Sequence, residues 1–216
     1  MTINNIGNNT QSLWRQYSPS TPAETVKAAQ MSQVGILSLA SFAGRLSSGI
    51  GSDALVHRGA SRFWTLVVSA TIFTLAQIVA MLLSNPNYLF LLSGLTGLAY
   101  GQLFGVFPAL TADAFGTSGM AINWGVMTLA PVLSGNFFNL AYGKILDGNS
   151  EFVPRPGGNE GEVDRVCGLG RGCYVEAYWI TFSAAVFAVG WCLWCIRSQK
   201  GERLREERER GLQRVD

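Results

Sequence analysis

The sequence predicts an all-α fold, a polytopic membrane bundle of about five transmembrane helices, and three observations carry that reading. Only 14% of the 216 residues are charged, against roughly 25% in an ordinary soluble domain. The charges also cluster: 28–44, 63–112, 114–143 and 177–196 contain no Asp, Glu, Lys or Arg. A helix in water needs a polar face, so an uncharged run of fifty residues calls for lipid as its solvent. Finally, these runs are continuously apolar, whereas a membrane β-barrel requires alternation over about ten residues.

A membrane helix takes about 20 mostly apolar residues, and the qualifying segments are 29–49, 63–84, 88–112, 120–143 and 175–196. Asn85-Pro86-Asn87 separates the second from the third, because Asn-Pro favours a turn and Pro interrupts helical hydrogen bonding. AFGTSG at 114–119 separates the third from the fourth. The membrane domain is then 29–197, preceded by a polar segment at 1–28 that has no secretory signal. A charged tail follows at 198–216. Arg58 and Arg62 lie between the first two spans, and seven basic residues follow Ile196. Five spans put both on one side, the cytoplasmic one by charge bias. The loop 145–174 and residues 1–28 then lie on the other side. That loop carries Asp147, Glu151, Glu160, Glu162 and Asp164 against Arg155, Arg165 and Arg171.

GRLSSGIGSD at 44–53 poses a choice between a phosphate-binding loop and a membrane turn. Gly44 and Gly49 have P-loop spacing, but Ile50 and Gly51 stand where Lys and Ser/Thr are needed, which removes nucleotide binding. The stretch is expected to belong to the inter-span loop, with Arg45 near the end of the first span. In the third span, Gly97, Gly101 and Gly105 recur every four residues with Pro108 one turn on, a pattern for close helix packing or for a flexible gating helix. Tyr100 and Gln102 flank these glycines. Asn123, Asn136 and Asn139 concentrate in the fourth span, where amides must face the bundle interior or a water-filled path. Those five are candidates for a solute cavity, with interhelical hydrogen bonding as the alternative. Cys167 and Cys173 bracket GLGRG, whose three glycines allow a disulfide worth roughly 2 kcal/mol; two free thiols are the alternative. Cys192 and Cys195 end the last span, and Asn8-Asn9-Thr10 is a glycosylation sequon. No catalytic triad, metal cluster or cofactor motif is present, so an enzyme is not expected, nor is a nucleic-acid partner.

Gly49-x-x-x-Asp53 followed by Arg58-Gly59 and Arg62 resembles the loop signature of the major facilitator superfamily, G-x-x-x-D-[RK]-x-G-[RK]-[RK]. Ala54 departs from it, standing where a basic residue is usual. INNIGN at 3–8, SQVGILSLASFAGRLSSGIGSD at 32–53, GLAYGQLFGVFPALTADAFG at 97–116, INWGVMTLAPVLSGNFFN at 122–139 and GKILD at 143–147 resemble the nodulin-like transporters, a branch that includes fungal monocarboxylate-transporter homologues. The resemblance covers about 1–197. It implies that the five spans are helices 8–12, the C-terminal half of a transporter in the vacuolar or plasma membrane, and that the chain is a fragment. Its partners would be a small solute, the lipid bilayer and the missing N-terminal half, with helices 8, 10 and 11 lining the path. By the same resemblance Gly44, Arg45, Gly49, Asp53 and Arg58 form a gating motif between spans. The rival expectation is a truncated, non-transporting protein that regulates a full-length transporter.

Overall fold

In the computed structural model three of the helices outrun the spans read from hydropathy. The structure describes residues 1–154 and 163–212, with side chains for 1–153 and 167–201. Arg155, Glu160, Glu162 and Arg214 lie outside the described residues. The helices are α1 (Thr2–Tyr17), α2 (Ala23–His57), α3 (Phe63–Leu82), α4 (Leu89–Met127), α5 (Leu129–Gly148) and α6 (Val175–Leu212). A two-stranded antiparallel hairpin, β1 (Glu151–Pro154) and β2 (Val163–Val166), sits between α5 and α6. The molecule therefore has a hairpin end and, opposite it, a basic end carrying Arg58 and Arg62.

Turn chemistry sets most boundaries. Pro19 and Pro22 cannot continue α1, and α2 starts directly after Pro22. Gly59, at φ +74°, takes the left-handed conformation that ends α2. Asn85 accepts a hydrogen bond from the Asn87 N–H at 2.9 Å, an Asx turn that launches a 3-10 turn over Pro86–Tyr88 before α4.

Four helical runs are long and apolar enough to cross a membrane, and one of them, Pro86–Gly148, has 63 residues. Straight, it would measure about 95 Å against a hydrocarbon core of about 30 Å. It is not straight. Gly116 has φ 72° and ψ 169°, a region open essentially to glycine alone, and the chain reverses there. The Thr111 hydroxyl then lies 3.3 Å from the Met127 sulfur. A second interruption at Thr128 precedes Pro131, which has no N–H to donate to the Met127 carbonyl. This one run thus folds into two helical segments, one before and one after the reversal.

The densest contact joins α2 and α4, which run parallel in a constant register. Gly97 abuts the Leu37 carbonyl, Gly101 the Ser41 carbonyl, and Gly105 the Arg45 backbone and the Ser48 hydroxyl. From the other side, Gly44 meets the Leu98 carbonyl and the backbone of Gly101. A Cβ would overlap backbone at Gly44, Gly97 and Gly101 and the Ser48 hydroxyl at Gly105, so only glycine permits the approach. Ser93 donates to Gln33 at 2.9 Å on the same seam, placing its one buried polar pair at the hairpin end.

α3 joins this pair through Ser69, which donates to Gln102 at 3.2 Å. It joins α6 through Gln77, which accepts from Thr181 at 2.7 Å. A buried cluster at the hairpin end gathers Ile6 and Leu13 of α1, Leu89 and Leu92 of α4, Tyr142 of α5, Cys167, Cys173, Tyr174 and Tyr178.

Two glycine substitutions separate packing from propensity. Gly101→Val is expected to push α2 from α4 and destabilise the protein by about 3 kcal/mol. Gly49, where an added Cβ meets nothing within 4 Å, should tolerate Ala and gain up to about 1 kcal/mol of helix propensity. Thermal unfolding in detergent checks both; equal effects would refute the packing account.

Candidate functional site

The GRLSSGIGSD stretch lies wholly inside α2. This corrects the expected loop: glycine weakens a helix by only about 1 kcal/mol, and the first residue that requires a non-helical backbone is Gly59. Gly44 faces α4, as does Ser48, while Arg45 is exposed at the level of Gly105. Its long stem lets the charged head reach toward the basic end. Arg58 is the exposed C-cap of α2.

The cation that meets Asp53 is Arg62, nine residues on. Its Nη1 lies 2.6 Å from Asp53 and donates to Ser52 at 3.0 Å, while its Nε lies 2.8 Å from Asp113 of α4. One guanidinium therefore ties together the basic ends of α2, α3 and α4. The Asp53 hydrogen bond, backed by attraction to Asp113, raises the Arg62 pKa above its usual value. The side chain stays cationic at any physiological pH. Both carboxylates are more than half exposed, at 64% and 57%, and pairs of that kind contribute only about 0–1 kcal/mol each. Such a cluster fixes position without locking it.

Beside it, Ser61 donates to Gln199 of α6 at 3.0 Å. A cavity of about 570 Å³ opens here, lined among others by Ser61, Arg62, Asp113 and Gln199.

Two further cavities, of about 590 and 450 Å³, adjoin along α4 and α5 and share Leu103, Phe104, Pro131 and Ser134. Tyr100 and Asn139 line the larger one, together with Gln77, Thr96 and Thr181. The Thr96 hydroxyl is buried without a hydrogen-bond partner. The other amides lie elsewhere: Gln102 is engaged by Ser69, whereas Asn123 and Asn136 donate to the carbonyls of Gly119 and Val132 in their own helices. Pro108 lies in α4 three residues before Thr111. Tyr142 is the one buried residue of α5, so most of that helix presents Val132, Leu133, Asn136, Phe137 and Leu140 outward.

At the hairpin end, Asn9 of α1 bridges two helices. Its amide N–H donates to the Tyr178 hydroxyl at 2.7 Å and its carbonyl accepts from Tyr142 at 2.6 Å. Asn5 donates to Asn139 at 3.0 Å. Sequence reasoning missed this clamp, and its signal was slight: Ile6 and Leu13 are seven residues apart, marking one apolar face in a polar segment. Asn8 of the sequon is exposed, but Thr10 is buried and donates to Ile6. Cys167 and Cys173 are joined in a disulfide with Cα atoms 6.0 Å apart, beneath α1. No group of metal-binding side chains is present among the described residues.

The geometry is that of a membrane bundle with one helix largely unpacked. No family model and no solved structure matches the chain. It is 33% identical over 171 residues to the uncharacterized membrane protein YMR155W of Saccharomyces cerevisiae, covering 73% of this chain and 29% of that protein. It is 26% identical over 221 residues to the probable transporter mch1 of Neurospora crassa, covering 92% of this chain and 36% of that protein. A probable transporter MCH1 of Gibberella zeae is 27% identical over 186 residues, with 85% and 27% covered. The chain is thus a membrane protein related to fungal proteins named probable transporters, and it spans about a third of their length.

The thiols supply a test of this end of the fold. Alkylation without reductant is expected to modify Cys192 and Cys195 and to spare Cys167 and Cys173. Modification of the loop pair before reduction would show that the bridge is absent.

Proposed function

We propose that the chain is one half of a secondary transporter that moves a small solute by alternating access, with its basic end in the cytosol. The observation that carries this reading is α5. It buries Tyr142 alone yet holds Ser134, Asn136 and Asn139 within a membrane-depth helix. Lipid accepts the exposed leucines and phenylalanines, but amides at that depth belong beside protein or water. α5 and the neighbouring face of α4 form one wall of a path, with Tyr100, Asn139 and the unpartnered Thr96 hydroxyl available to a solute. The remaining two-thirds of the relatives' length supply the opposing wall and complete the major facilitator arrangement that the sequence resembles. Rocking of one half against the other exposes the path to each side in turn, and the Asp53–Arg62–Asp113 cluster holds the basic end of this half together while it moves.

Water access tests the wall without knowledge of the solute. The chain is joined to the preceding part of the Neurospora crassa relative, with Cys192 and Cys195 replaced by Ser. In this protein Asn136→Cys is expected to react with a charged, membrane-impermeant maleimide at least tenfold faster than Phe187→Cys, whose parent side chain is 69% exposed toward lipid. Equal rates would exclude a path along α5. In the same protein, Asp53→Asn is expected to shift the ratio of labelling from the two sides severalfold while leaving expression and unfolding temperature within error. An unchanged ratio would remove Asp53 from the switching machinery.

A further inference from the structure

Ser61 stands in the turn Arg58 to Arg62, between α2 and α3. Three positions before it is Arg58, exposed at the helix cap, and directly after it is Arg62. Arginine three residues ahead of a serine is the charge pattern that basophilic protein kinases hold through their own acidic residues. The Ser61 hydroxyl lies on the rim of the 570 Å³ cavity at the basic end. It donates to Gln199 of α6 at 3.0 Å and accepts from the Phe63 N–H at 3.3 Å. One side chain therefore links the first turn of α3 to Gln199 of α6 and neighbours the Arg62 cluster.

We propose that Ser61 is a phosphorylation site for an arginine-directed serine kinase, and that its phosphorylation releases the Arg62 cluster and the contact with α6 at Gln199. The Ser61 oxygen attacks the γ-phosphorus of kinase-bound ATP. A new P–O bond forms as the bond from that phosphorus to the bridging oxygen of ADP breaks; the hydroxyl proton passes to the kinase's base and ADP leaves. The consequence follows from charge. Arg62 supplies one positive charge against the two negative charges of Asp53 and Asp113, so the cluster already carries an excess of one. A phosphoserine adds about −1.5 to −2 beside it. Arg62 cannot serve three anions, and either carboxylate it abandons is repelled by the phosphate. The modified residue also loses the O–H that Gln199 accepts. Access is cheap, because His57, Arg58 and Gly59 are exposed and fraying a last helical turn takes little free energy.

This inference rests on the reading that the basic end is cytosolic, and its test does not depend on transport. The full chain in lipid nanodiscs is incubated with ATP and a kinase selective for Arg at −3, then digested and analysed by mass spectrometry. One phosphate on Ser61 is expected, with Ser61→Ala losing at least tenfold of the label and Arg58→Ala slowing the initial rate about tenfold. Hydrogen exchange around Val56–Phe63 and around Gln199 should rise severalfold in the phosphoprotein, and Ser61→Glu should reproduce part of that rise. Absence of phosphate on Ser61 while a free peptide of residues 55–66 is modified would overturn the site. A phosphorylated protein with unchanged exchange would overturn the release. Failure of maleimide to reach α5 would sink the transport reading and leave both of these results standing.

Discussion

Everything on one side of the molecule depends on how closely α2 and α4 approach. In lipid there is no hydrophobic gain from burying one apolar helix against another, so association relies on van der Waals contact and a few hydrogen bonds. Glycines at 97, 101 and 105 in α4 meet the carbonyl ridge of α2, and Gly44 returns the contact. Because the register is constant along the seam, fixing it at one level fixes it at all. It sets Asp53 and Asp113 at the same level, which is why a single arginine can reach both. The charged cluster is thus a product of glycine packing some three turns away.

α3 and α6 form a second layer attached by side-chain hydrogen bonds rather than by backbone approach. Ser69 with Gln102 and Thr181 with Gln77 are isolated polar contacts inside the apolar stretches of these interfaces. Each is satisfied, so each fixes rotation and depth without leaving an orphaned group. α5 is tied through its hairpin half, where Asn139 accepts from Asn5 and Tyr142 donates to Asn9, both of α1.

Hydropathy is a sum over twenty residues and places long apolar runs well: α3 at 63–82 falls within the expected 63–84, whereas the expected 120–143 is divided between α4 and α5 at Thr128, a local break that such a sum does not see. The glycine spacing likewise announced a close contact, though one sequence could not say that the partner was α2. What stayed hidden was of three kinds. α1 is polar on average, and it packs because tyrosines from two distant helices satisfy Asn9, a long-range fact with no local trace. The extent of α2 was misread because glycines suggested a loop where none is required. Arg58 matched a spacing pattern, but the helix continues to His57, so the turn presents Arg62 to the acids instead. The amides of α5 were visible as a group, yet which of them line a cavity depends on the bend at Pro131.

The Asn9 bridge has a mechanical consequence. With α1 pinned to Tyr142 and Tyr178, and the disulfide seated beneath it, the hairpin ends of α5 and α6 share one fulcrum. Displacement then grows with distance from that point. A tilt of 10° over a hydrocarbon core of about 30 Å moves the far end of α5 by roughly 5 Å and the near end hardly at all. Under the proposed rocking the hairpin end would be the pivot, and the weak, exposed ion pairs would lie where the stroke is longest.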